Sequence, residues 1–281
     1  MTMLSIRNIS LHVQTYGEGL PVVVMHGGPG ADLYSMLPLR RLSRRFTVVL
    51  YDHRCNGRSD GPPVESMTWE NLTADADALR RQLGFDRWAV VGHSFGGHVA
   101  LEYALRYPER LSRLVLLGSG GDSVWSQQNA AQLMAERGFS EQKTELLRRW
   151  FNGEFQPREM APILLRIASA YSHRSGIPAL WDTFGEIVRG GWRMKMQPEA
   201  LIFAGRHLLK GWTVMDRLRE IEAPTLVIAG RDDFIFPPEH QADLAARIPN
   251  ANLQIIERAG HNPHTERTSE CLSAIETFLS E

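Results

Sequence analysis

The sequence predicts an α/β fold, with a mostly parallel sheet covered by helices on both faces and interrupted by a helical insertion. Three observations carry that prediction. Strand-like and helix-like runs alternate through both ends of the chain. Several strand candidates are short apolar or β-branched runs, such as Val22-Val23-Val24-Met25 and Thr225-Leu226-Val227-Ile228-Ala229. Between about Ser123 and Thr213 the strand signal stops, and apolar residues recur only at helical spacing.

In chain order, strands are expected over 10–15, 22–25, 47–51, 88–91, 114–117, 225–229 and 253–256. Helices fit near 31–43, 71–83, 97–107, 238–248 and 269–280. The run 71–83 shows the pattern: Leu72, Ala76, Leu79 and Leu83 share a face, which leaves Asp75, Arg80 and Arg81 to water. Gly84 then stops the helix. The basic cluster Arg40-Arg41-Leu42-Ser43-Arg44-Arg45 suits a helix C-terminus, where cations are favoured. Inside the insertion, helical runs cover 130–136, 141–151, 157–171, 178–188 and 198–210, with Pro or Gly near most boundaries. The division is therefore a core of residues 1–122 and 214–281 and a helical cap of residues 123–213.

Composition narrows the class. The 281 residues are 43% hydrophobic and 22% charged, ordinary values for a globular chain. Lys and Arg total 31 against 32 Asp and Glu, a net charge of −1, so no electrostatic case exists for nucleic acid or an anionic membrane surface. The N-terminus lacks the apolar core of a signal peptide, and no run approaches a membrane span. With only Cys55 and Cys271, a disulfide framework is not expected and a reducing cytoplasm is. The ten histidines show no metal-ligand spacing. Neither metal nor cofactor is expected.

Chemistry is concentrated in four segments. Trp88-Ala89-Val90-Val91 runs into Gly92-His93-Ser94-Phe95-Gly96-Gly97, after which a helix-like run begins. Gly-x-Ser-x-Gly between strand and helix reads as a nucleophile elbow, with small flanking residues demanded by the tight turn. An elbow serine needs a base, an acid to orient the base, and donors for the oxyanion. After the strand at 225–229 comes Gly230-Arg231-Asp232-Asp233-Phe234-Ile235-Phe236-Pro237; the G-x-x-D-x-x-x-P spacing favours Asp233 as the acid, with Asp232 as the fallback. After the last strand, His261 is the base. Upstream, His26-Gly27-Gly28-Pro29-Gly30 is a glycine-rich loop that lets backbone N–H groups face an acyl oxygen. Gly28 supplies one donor, with Gly27 as runner-up, and Phe95 supplies the other.

The order Ser94, Asp233, His261 and these loops resemble the α/β-hydrolase-fold superfamily over nearly the whole core. The loop His26-Gly27-Gly28-Pro29-Gly30 is similar to that of the proline iminopeptidase (prolyl aminopeptidase) family. Asp52-His53-Arg54-Cys55-Asn56-Gly57-Arg58-Ser59 resembles the block Asp-x-Arg-Gly-x-Gly-x-Ser of these proteins, with Cys55 in place of a glycine. The resemblance implies a serine hydrolase acting through an acyl-enzyme on a small molecule or short peptide. Its narrow form is an aminopeptidase with an acidic residue that pairs with the free amine. Glu154, Glu159, Asp182 and Glu186 are the candidates, and Trp181-Asp182 resembles a Trp-Glu pair of some family caps. The elbow Gly92-His93-Ser94-Phe95 and the Phe234 that follows Asp233 are closer to esterases, so a carboxylesterase or lactonase on small apolar acyl groups is the alternative. A ligand receptor that keeps the three residues is a further alternative.

Overall fold

The computed structural model describes residues 2–174, 176–189 and 194–281. Its strands are β1 (Thr2–Ile6), β2 (Ile9–Tyr16), β3 (Leu20–Met25), β4 (Phe46–Tyr51), β5 (Trp88–His93), β6 (Leu111–Leu117), β7 (Thr225–Gly230) and β8 (Ala251–Ile256). They form one sheet in the order β1-β2-β4-β3-β5-β6-β7-β8. The pairs β1–β2 and β2–β4 are antiparallel, and every other pair is parallel.

Side-chain alternation feeds two cores from the same strands. Val23, Met25, Val49, Val90, Leu114, Leu116 and Val227 face one side, against α1 (Trp69–Gln82) and α2 (Phe95–Arg106). Val22, Val24, Val48, Leu50, Val91, Val115, Leu117 and Ile228 face the other. That side is covered by a 3-10 helix at Leu33–Arg44 and by residues late in the chain, Cys271, Ile275 and Leu279 among them. Because both faces are buried, β5 and β7 contain no exposed residue at all.

Helical elements fill the segment between β6 and β7: α3 (Val124–Glu136), α4 (Glu141–Asn152), α5 (Met160–Ile167), α6 (Gly176–Arg189) and α7 (Pro198–Phe203). They share a third apolar cluster in which Ala130, Leu147, Trp150, Ile163 and Leu201 pack with Phe234, Ile235 and Phe236 of the loop after β7. The remaining helices are α8 (Pro238–Arg247), α9 (Pro263–Glu266) and α10 (Thr268–Ser280). No helix among the described residues is long and apolar enough to cross a membrane.

Several elements differ from expectation. β1 is an edge strand that the sequence reading passed over. The helix expected over 31–43 is 3-10, with Pro38 in its interior, where an α-helix would lose an N–H and meet the proline ring. The run 157–171 divides into a 3-10 turn, α5 and a second 3-10 turn, and 198–210 becomes α7 followed by a π-turn at Ala204–Leu208.

The solvent-facing assignment of Asp75 and Arg80 is corrected: both are buried, and only Arg81 is exposed. Asp75 accepts a bidentate pair from Arg54 at 2.6 and 2.8 Å and a third bond from Arg7, which follows β1, at 2.8 Å. Arg80 donates to Asp77 at 2.9 Å and to the Asp86 carbonyl at 2.8 Å. Helical spacing cannot register this burial, because the groups that satisfy Asp75, and the carbonyls that take Arg80, lie outside the helix.

The block after β4 is structural. Asp52 accepts bonds from the backbone N–H groups of Leu33 and Arg58 at 2.7 and 2.8 Å and contacts His12 Nδ1 at 2.9 Å, tying three segments together. Cys55 takes φ 61°, the left-handed conformation that suits the glycine of the similar block. Burial raises its thiol pKa, which works against a nucleophilic role.

Candidate active site

The four chemistry-bearing segments meet at the carboxyl ends of β3, β5, β7 and β8, where open parallel sheets place their ligands. Ser94 lies between β5 and α2 at φ 51°, ψ −117°. A non-glycine residue held there stores roughly 1–3 kcal/mol of strain. The surroundings fix it. Its N–H donates to the Leu117 carbonyl at 3.1 Å, and its carbonyl accepts from Gly97 N at 2.8 Å and Ser119 Oγ at 2.9 Å. The flanking glycines are steric requirements. A Cβ on Gly96 would come within 2.1 Å of the Met25 carbonyl oxygen, and one on Gly92 within 2.7 Å of Gly97 Cα.

Ser94 opens on a cavity of about 180 Å³ that is also lined by His261, Phe95, Gly27 and Gly28. That exceeds the roughly 150 Å³ in which a benzene ring fits. His261, in the loop after β8, faces Asp233 through Nδ1 at 3.0 Å. The acceptor-only carboxylate assigns the Nδ1 proton to the imidazole. The other oxygen of Asp233 accepts from Ile235 N at 2.8 Å and Phe236 N at 3.1 Å, and the group is almost fully buried. Asp232 points elsewhere, to His173 Nδ1 at 2.6 Å, on the surface. The adjacent carboxylates thus have separate partners, and Asp233, the one the spacing favours, is the one that meets His261.

The candidate oxyanion donors belong to residues that line the same cavity. Phe95 is the first residue of α2, where an N–H has no partner within the helix. Gly28, at φ 65°, turns the loop after β3 against the same cavity.

The tentative amine-binding residues lie elsewhere. Asp182 accepts from Ser172 Oγ and Arg174 Nε, each at 2.7 Å, beside Arg258, Glu266 and Arg267 rather than in the Ser94 cavity. Trp181 is 48% exposed. Glu154 pairs with Arg148 at 2.7 Å and Glu159 with Arg149 at 2.9 Å, on the outer surface of the insertion. The side chain of Glu186 lies outside the described residues.

Sequence reading missed a ring of histidines and one carboxylate. His93, His98 and His264 all line the cavity. Burial holds the pKa of His93 well below its ordinary value and brings those of His264 and His98 down to about 4 and about 3, so all three are neutral near pH 7. His93 Nε2 meets the His261 carbonyl at 3.1 Å, which makes it the donor in that bond. Glu266 accepts from Gly260 N at 2.9 Å and His173 N at 2.7 Å, tying the loop that carries His261 to the insertion. His93 and His98 flank Ser94 in sequence, and the one-turn spacing of His98 from Ser94 was a signal available from the start.

Comparison with known proteins agrees with this architecture. Residues 21–268 match the family model described as alpha/beta hydrolase fold. A 2-hydroxy-6-oxononadienedioate/2-hydroxy-6-oxononatrienedioate hydrolase of Comamonas testosteroni is 29% identical over 270 residues, spanning 90% of this chain and 85% of that protein. A proline iminopeptidase of Heyndrickxia coagulans is 26% identical over 272 residues, spanning 94% and 92%. The solved structure of an esterase from Exiguobacterium antarcticum aligns with a TM-score of 0.79 at 20% identity, over 100% of this chain and 99% of that one. With an elbow, a shared cavity and a family match over most of its length, this chain belongs to the α/β hydrolase fold family.

Proposed function

We propose that the protein is a serine hydrolase that cleaves a small, uncharged ester or lactone through an acyl-enzyme, with residues 123–213 acting as a cap over the site. One observation carries the choice of substrate. Among the described residues lining the Ser94 cavity there is no Asp, Glu, Lys or Arg, while Phe95, Trp150, Phe151, Leu164, Leu201 and Phe236 make it largely apolar. Burying an ammonium or carboxylate there without a partner would be costly, whereas a neutral acyl group is favoured.

In this mechanism His261 Nε2 takes the Ser94 proton as Oγ attacks the carbonyl carbon. Asp233 keeps the Nδ1 proton in place and stabilises the imidazolium. The N–H groups of Phe95 and Gly28 hold the oxyanion, and collapse expels the alcohol, protonated by His261. Water activated by the same imidazole then releases the acid. The aromatic lining excludes bulk water and strengthens each of these polar contacts.

A second reading is an aminopeptidase resembling proline iminopeptidases, favoured by the His26-Gly27-Gly28-Pro29-Gly30 loop and by the 26% identical relative. A side-by-side rate comparison on a short-chain nitrophenyl ester and a proline arylamide separates the two. Ester turnover is expected, with Ser94→Ala lowering kcat by at least about a thousandfold at unchanged unfolding temperature. Strong arylamide turnover, lost on N-acylation, would instead establish the aminopeptidase.

A further inference from the structure

We infer that His98 is the polar anchor for the substrate's arm, taking a hydroxyl or keto oxygen that lies about one helical turn from the scissile carbonyl. The inference rests on the reading of Ser94 as the nucleophile, and it names the substrate class more narrowly: an oxygenated, uncharged ester or lactone.

The observations are geometric. His98 stands one turn after Ser94 on α2, its N–H donating to the Ser94 carbonyl at 3.2 Å. Four residues of α-helix advance roughly 6 Å, so the imidazole lies a few bonds of substrate away from the reacting carbon. It lines the Ser94 cavity, and the residue is only 4% exposed. Neither Nδ1 nor Nε2 has a hydrogen-bond partner. Among the described lining residues it is the only imidazole with both nitrogens unpartnered: His93, His261 and His264 each commit one nitrogen. Buried polar groups are nearly always satisfied, so two open nitrogens on one ring mark a place where something else supplies the partner.

The ring is also rigidly placed. Trp212 packs against it at 4.5 Å between centroids and Phe236 meets it edge-on at 5.7 Å. With the pKa pushed down to about 3 by burial, the imidazole is neutral and offers one donor and one acceptor. A hydroxyl can pair with either nitrogen, and a carbonyl with the donor alone. A carboxylate or ammonium would find no opposite charge among the described lining residues. Several other polar lining groups are committed: Ser123 Oγ is bonded at the carbonyls of Leu209 and Trp212, Ser126 Oγ donates to Ser123 O at 3.1 Å, and Gln127 Nε2 donates to Phe151 O and Gly205 O, each at 3.4 Å.

The test measures kcat/KM on pairs of uncharged esters that differ by one oxygen, placed in the acyl arm (pentanoate against 4-oxopentanoate) or in the alcohol arm (butyl against 4-hydroxybutyl). The wild type should prefer the oxygenated member of one pair by about tenfold or more, because a site built to hydrogen-bond an oxygen rejects the analogue lacking it. The arm that shows the preference identifies which one enters the cavity toward His98. His98→Leu should abolish the preference, and His98→Asn, which keeps a donor and an acceptor, should retain part of it. Calorimetric binding of the same esters to Ser94→Ala and to Ser94→Ala/His98→Leu should show the same loss without turnover. No preference in either pair, or one that survives His98→Leu, overturns the inference. A wild type that hydrolyses no ester, while Ser94→Ala binds the oxygenated ligand through His98, would overturn the esterase reading and leave the anchor standing.

Discussion

The carboxyl edge of the sheet and the helical insertion facing it hold their polar groups in opposite ways. At the edge, Asp233 and His261 are buried and bonded by backbone N–H and C=O groups, and His93, His98 and His264 are neutral rings deep in the fold. On the insertion, Arg148 pairs with Glu145 and Glu154, and Arg149 with Glu159, near the surface, while the inward face is apolar. The edge therefore buries bonded polar groups around Ser94, and the insertion turns an apolar face inward and its charges to solvent. Each experiment below either breaks that contrast or sharpens it.

The largest effect belongs to the edge. Asp233→Asn should lower kcat on the ester by on the order of 10⁴, since the amide would favour the wrong His261 tautomer. Asp232→Asn should leave kcat within about threefold, because its partner His173 is a surface residue and such pairs contribute little. Steady-state kinetics on both variants decides it; a reversal would transfer the orienting role to Asp232.

Legibility divides along the same line. Ser94 and Gly28 were legible as candidates because the chain takes positive φ at both, and such backbone leaves local strings: small residues around Ser94 and glycines after β3. Asp233 and His261 were legible only from their order and spacing after β7 and β8. The strands were readable because burial on both faces makes them apolar runs. Asp75 and Arg80 are placed differently from the expectation because helical periodicity says which residues share a face and not what covers it. Arg54 and Arg7 engage Asp75, and the Phe85 and Asp86 carbonyls after the helix take Arg80. Trp181 and Asp182 were misplaced for a related reason. In a layer of short helices nearly every aromatic residue fits an inward or an outward reading, and only tertiary packing chooses. His98 went unremarked because a histidine on an amphipathic helix is ordinary until its nitrogens are found without partners.

Acid stability gives an intermediate effect that also separates the two regions. His98 and His264 have folded pKa values of about 3 and about 4, against an unfolded value near 6.5, and His93 is shifted in the same direction. Below about pH 6.5 the unfolded chain binds protons that the folded chain refuses. Their stabilisation is complete above that pH and is lost as the pH falls toward 4. Unfolding free energy should drop by up to about 1.4 kcal/mol per pH unit for each such histidine. Urea titrations between pH 7 and 4.5 measure the slope, and His98→Leu should make it shallower by about one proton. The surface carboxylates Glu145 and Glu159 have their pKa values lowered, Glu145 by its bond from Arg148 and Glu159 by the Gln156 N–H and then by Arg149, so they add to the slope only at the acid end of this window. An unchanged slope in His98→Leu would mean that the ring is already protonated in the folded state.

The smallest expected effect tests where an amine would sit. Asp182, itself 7% exposed, is held by Ser172 and by Arg174, whose guanidinium is 53% exposed, so the ion pair is screened from one side only and is worth on the order of 1–2 kcal/mol. Asp182→Asn keeps a carbonyl oxygen for Ser172 and removes the charge. Unfolding free energy should fall by no more than that amount. Ester kcat/KM should stay within about twofold, because nothing at Ser94 touches this group. Ser172 Oγ also lies 3.0 Å from Glu266, which holds the loop of His261, so a larger loss in kcat would show that this network positions the base. A loss confined to KM for a proline arylamide would instead place the substrate amine at Asp182. It would extend the cavity beyond its apolar lining and move the insertion from shaping an acyl chain to reading a charge.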